Sequence, residues 1–154
     1  MIKKYFWIVM GVIQTAWLIP VQAQEASVPP AVATELMQLI DLYSKARENQ
    51  DTLLLKSILT EDIDQLVSSG EWRLGLRVAV DGMQRSSSIN EGKRTLSVER
   101  IRLLDEKVAL VDARYTIEPV SGGDPRKMWS TFIAVFREGN WRISGIRNML
   151  PTGN

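Results

Sequence analysis

Val108-Ala109-Leu110-Val111-Asp112-Ala113-Arg114-Tyr115-Thr116-Ile117-Glu118 alternates with a period of two. Ala109, Val111, Ala113, Tyr115 and Ile117 share one face of an extended strand, and Asp112 and Arg114 fall on the other. A strand with one apolar face needs a covering layer on that side. Asp105-Glu106-Lys107 turns the chain out of an earlier strand at 95–104. Beyond a loop at 119–126, which holds Gly122-Gly123, come strands at 128–137 and 141–149. Glu138-Gly139-Asn140 joins these two as a tight hairpin turn. The C-terminal half therefore reads as an antiparallel meander.

The cover lies upstream. Leu36, Leu39, Ile40, Tyr43 and Ala46 recur at three- and four-residue steps, which predicts an amphipathic helix over 34–49. Asp51 follows Asn49-Gln50 and is placed to cap a second, shorter helix through residue 59, with Leu54, Leu55 and Ile58 inward. Ile63, Leu66 and Val67 fit either a strand or a helical turn, and Ser68-Ser69-Gly70 is a turn cluster. A third helix is expected over 75–86, with Gly82 as a weak point. Helices ahead of an antiparallel meander define an α+β domain with the helices on one sheet face.

The chain starts with Lys3 and Lys4, a mostly apolar run to Ile19, and then Pro20 and Val21-Gln22-Ala23. This is the layout of a secretory signal peptide cleaved after Ala23. The expected organisation is 1–23 signal, 24–32 flexible lead and 33–152 domain. Without the signal no membrane association is expected, and the protein would be periplasmic or secreted. Losing Lys3 and Lys4 from 19 basic residues leaves 17 against 18 acidic ones, so no overall field favours nucleic acid. Cysteine and histidine are absent. Disulfides, thiol nucleophiles, Ser-His-Asp triads and ordinary zinc sites are thereby excluded. Gly122-Gly123-Asp124 sits in a hairpin connection and is not a phosphate loop, so no cofactor is expected.

Four stretches resemble the SnoaL-like branch of the NTF2-like superfamily, and within it the SgcJ/EcaC group related to DUF4440 proteins. They are Leu42-Tyr43-Ser44-Lys45-Ala46 with Asp51, Leu59-Thr60-Glu61-Asp62, Val108 to Val111 with Ala113-Arg114-Tyr115, and Gly139-Asn140-Trp141-Arg142-Ile143 followed by Asn148 and Pro151. The resemblance implies a cone, a curved antiparallel sheet wrapped around three N-terminal helices, with a pocket at its opening. It also implies a homodimer through the far sheet face. The fold serves binders and enzymes alike. The isomerases of this superfamily place a tyrosine where Tyr43 stands and a carboxylate base where this chain has Val67, so their proton transfer does not carry over and no catalytic residue is assigned.

Several residues are pocket candidates. Tyr43 lies on the apolar stripe, where it fits either a core role or a donor role. Asp62, paired with Asp64, fits a helix-exit cap or a ligand carboxylate; no metal site is expected, because no further ligands cluster nearby. Trp72 and Trp129 suit either packing or a pocket rim. Arg147 shares strand parity with Trp141 and Ile143, which would turn it inward if no bulge intervenes, and Asn148 adjoins it. The expected function is binding of a small hydrophobic molecule bearing an acidic or carbonyl group. The rivals are an isomerase or cyclase acting on a hydrophobic substrate, and a purely structural dimer module.

Overall fold

A computed structural model describes residues 28–151, so the expected signal and residues 24–27 of the lead lie outside the described part. The first helix, α1 (Pro30–Glu48), begins earlier than the apolar stripe suggests. Pro30 occupies its first turn, where a missing N–H costs nothing and the fixed φ is already helical. Asp51 caps α2 (Thr52–Ile58): its Oδ1 accepts the Leu54 N–H at 2.9 Å. The ambiguous stretch is extended, giving β1 (Leu59–Leu66) and a short β2 (Trp72–Leu74). Then come α3 (Leu76–Ile89), β3 (Gly92–Asp105), β4 (Val108–Pro119), β5 (Arg126–Arg137) and β6 (Asn140–Met149). The β5–β6 hairpin turns on Glu138 and Gly139, at φ 54° and 82°, the double positive φ of a type I′ turn.

The α+β class is as expected, with two differences in order. The six strands run β2-β1-β6-β5-β4-β3, and β1 lies parallel to β6, so the curved sheet is mixed. The helix α3 follows β1 and β2 instead of preceding every strand. On the inner sheet face Ala109, Val111, Ala113, Phe132, Ala134 and Ile143 are fully buried with Leu36, Ile40 and Tyr43 of α1. The alanines at 109, 113 and 134 leave room for the larger α1 side chains, and Tyr43 meets Phe132 edge-on at 5.2 Å.

One irregularity decides which side chains enter the cone. On β5, Ile133 and Ala134 are consecutive; on β6 their partners are Gly145 and Ile143, so Ser144 is an extra residue. This β-bulge reverses the alternation. Trp141 and Ile143 point inward before it, and Ile146 is fully buried after it. Arg147 therefore leaves by the outer face, against the expectation from simple parity.

Candidate functional site

Two buried arginines line the inner hollow of the cone. Arg47 ends the stripe that begins at Leu36, one helical turn beyond Tyr43, so the geometry that buries Tyr43 also buries Arg47. It is 5% exposed. Its N–H groups donate to the Tyr43 hydroxyl at 2.9 Å and the Ser87 hydroxyl at 3.3 Å. Both partners are neutral, and no carboxylate of the described residues pairs with Arg47. Burial pushes the Tyr43 hydroxyl pKa up, against the pull of the Arg47 charge, so Tyr43 is no tyrosinate at neutral pH and leaves that charge uncancelled. Other N–H groups of the guanidinium remain unused.

The second arginine, Arg73, is 7% exposed and enters from β2. It donates to Glu71 Oε1 at 3.0 Å and Gln65 Oε1 at 3.4 Å. A Cβ on Gly82 would fall on Nε, Cδ and Cζ of Arg73. The glycine that weakens α3 as a helix is thus the groove in which the Arg73 side chain lies. A third buried arginine, Arg94, donates from its two terminal nitrogens to the carbonyls of Gly92 and Asn90 just beyond α3, while its Nε has no partner among the described residues.

Arg47 and Arg73 share a throat of about 40 Å³ with Gln65, Val67, Tyr115 and Asn148, among others. Asn148 Oδ1 accepts from the Ser130 hydroxyl at 2.7 Å, which leaves its amide nitrogen free. Tyr115 is 4% exposed, and its hydroxyl has no hydrogen bond among the described residues. The throat is therefore walled by donors and contains no acidic side chain. A cavity needs roughly 10–15 Å³ per water-sized group, so this one has room for a carboxylate but not for a ring system. It opens toward a wider hollow of about 470 Å³, lined in part by Ile117, Pro119, Val120 and Ile89, which shares Ile117 and Arg126 with it.

The candidates from sequence divide between the two sides of the sheet. Asn148 lines the throat and Tyr43 anchors Arg47 behind it. The others lie elsewhere. Asp62 is exposed and accepts from Arg137 at 3.3 Å; with the Thr60 hydroxyl as the largest cause and Arg137 next, its pKa is lowered. Arg147 makes a two-point bridge to Asp64, at 2.9 and 3.0 Å, and lies over the Trp72 ring at 4.8 Å. Trp129 carries the Arg114 guanidinium at 4.6 Å. Asp62 and Asp64 thus each face an arginine, and no acidic group among the described residues is arranged to hold a metal. Sequence reasoning missed Arg47 and Arg73. The signals were an arginine on an apolar stripe and a glycine inside a helix.

Neither family models nor curated protein sequences give a match to this chain. Solved structures do. A domain of unknown function with a cystatin-like fold from Nostoc punctiforme superposes with TM-score 0.72 at 13% identity, over 82% of this chain and 81% of that one. An NTF2-like protein of unknown function from Pseudomonas putida gives 0.70 at 15% identity, covering 82% and 92%. Aln2 from a Streptomyces species gives 0.70 at 12%, covering 80% and 93%. The chain has the NTF2-like, cystatin-like fold. At such identities the likeness extends to the fold alone.

Proposed function

We propose that the chain is an exported, non-catalytic SnoaL-like binding protein of the SgcJ/EcaC type, which seats the acid group of a small, partly apolar organic acid in its throat. The observation that carries this reading is Arg47. A buried guanidinium bonded only to neutral hydroxyls is an uncompensated charge, and an anionic ligand completes it. The free donors of Tyr115 and Asn148 converge on the same space, while the apolar wall of Ile117 and Met128 suits the body of the ligand. The rival reading, an isomerase or cyclase, would use these donors to hold an oxyanion. It lacks a base: Val67 lines the throat where a carboxylate would serve, and Arg73 lowers the pKa of the exposed Glu71, which weakens it as a base.

Calorimetric titration with hexanoate, octanoate and benzoate, against octanol as the neutral control, tests the reading. The acids bind and the alcohol does not. Arg47→Met weakens acid binding by about 1.5–3 kcal/mol, the worth of hydrogen bonds to a charged group. Far-UV circular dichroism shows the fold retained. Undiminished affinity in Arg47→Met overturns the reading. Export and homodimerisation through the outer sheet face belong to the same proposal, checked by an N-terminus at Gln24 and by light scattering.

A further inference from the structure

The throat does not end at its own wall. Val67, Ser68, Arg73, Ser86 and Arg126 border both the throat and a hollow of about 290 Å³ at the mouth, so the two form one continuous space. Arg85 also lines the outer part. Four guanidinium groups therefore face this space, Arg47 and Arg73 in the throat and Arg85 and Arg126 at the mouth. Glu71 is the one carboxylate lining the throat and this outer part, and it is bonded to Arg73; Glu91 and Asp124 line the separate wider hollow that also touches Arg126. Composition does not account for this excess, since the whole chain carries a formal charge of only +1.

Arg126 supports a ligand role in its own right. Its Nη2 donates to the Ser68 hydroxyl at 2.7 Å, so the side chain reaches from the start of β5 to the β1–β2 connection and holds its charge across the mouth. It has no carboxylate partner among the described residues. Ser68, Ser69 and Ser86 surround the same hollow with hydroxyls. The positive charge thus sits at two levels, one buried and one at the rim, with the apolar Val67, Ile117 and Met128 bordering the throat. A ligand with one acid group would neutralise Arg47 and leave the rim cations facing one another across a cleft that concentrates their field.

Building on the proposed function, we infer that the ligand is a diacid, with one acid group in the throat against Arg47 and a second held at the mouth by Arg126 and Arg85. The apolar part links the two past Val67, which borders both the throat and the mouth. Charge at two fixed levels selects for the distance between the acid groups as well as for their number.

The test is a chain-length series of straight dicarboxylates from succinate to sebacate, with the matched monocarboxylates, titrated calorimetrically into the wild type and into an Arg85→Gln/Arg126→Gln double variant. The expected result is one preferred diacid length that binds about tenfold tighter than its monoacid, an advantage of the order that a charged hydrogen bond supplies. The double variant loses that advantage, its diacid and monoacid affinities becoming equal at every length, and added salt reduces the diacid advantage first. Equal binding of diacid and monoacid at every length overturns the diacid inference and leaves the single-acid reading standing. An equal diacid advantage in the double variant also overturns it, because the second group would then lie elsewhere. Binding of neither series to the wild type overturns the proposed function, and the diacid inference falls with it.

Discussion

The two sides of the sheet treat arginine in opposite ways. On the outer face three guanidinium groups have a carboxylate: Arg147 with Asp64, Arg114 with Glu99, Arg137 with Asp62. Two of them also lie over a tryptophan ring. These pairs are partly exposed, where water already screens a charge and a partner adds little. Inside the cone, where a missing partner costs most, Arg47 has only hydroxyls. If arginines were placed for stability alone, the carboxylates would be inside. On the proposed reading, the inner charge is held for something that is not part of the chain.

Giving the inner site what the outer sites have should break the comparison most severely. Ser87 Oγ receives both Nε and Nη2 of Arg47, so Ser87→Asp brings a carboxylate against the same fork. The expected outcome is loss of acid binding by about a hundredfold, near 3 kcal/mol, because the ligand's place is filled from within. The fold should tolerate the slightly larger side chain at a cost below about 2 kcal/mol, offset by the new ion pair. Titration and thermal melts on the same protein separate these effects. A Ser87→Asp variant that binds acids as the wild type does would show that the ligand never meets Arg47.

A smaller effect is expected on the other side. Arg147→Ala removes the two-point bridge to Asp64 and the stacking on Trp72. Both groups are about a third exposed, so the expected loss of stability is about 0.5–1 kcal/mol, read by denaturant melts and reduced at high salt. Acid binding should be unchanged, since the bulge turns Arg147 away from the throat. Weaker binding in this variant would mean that the outer pairs support the site and that the two sides are not independent.

The different legibility of the two sides follows from what each depends on. The α1 stripe, the Asp51 cap and the Glu138-Gly139 turn depend on neighbours in sequence, and all three are found where the sequence puts them. The direction of Arg147 depends on Ser144, one extra residue that matters only against the register of β5. Gly145 within the strand was the available hint, as strand glycines often mark bulges. Arg73 misleads in a different way. In Trp72-Arg73-Leu74 the apolar residues look inward by composition, yet β2 pairs Arg73 with the buried Gln65, so Trp72 and Leu74 face out. A three-residue strand has no pattern of its own and takes its facing from its partner. Arg47 is legible by position, one turn beyond Tyr43 on the stripe, but an arginine ordinarily marks a solvent-facing position.

The smallest expected effect concerns Glu71, where the two ways of treating arginine meet. Arg73 is buried like Arg47, yet it has a carboxylate, and that carboxylate lies at the exposed mouth. The hydrogen bond and charge of Arg73 lower the Glu71 pKa, so the group is ionised at neutral pH and competes with any ligand anion for Arg73. A depressed carboxylate contributes stability above its unfolded pKa and loses it as pH falls through the folded one, so this contribution is intact at pH 7 and fades only in acid. Glu71→Gln removes the competing charge and keeps the shape. Because the group is solvent-exposed, the gain in acid affinity should be modest, about two- to threefold at neutral pH and smaller in high salt. The same titration of wild type and variant at pH 7 measures it. Weakened binding in Glu71→Gln would mean that Glu71 aims Arg73 at the ligand instead of competing with it, and the exposed mouth would then follow the outer face in needing its ion pair closed.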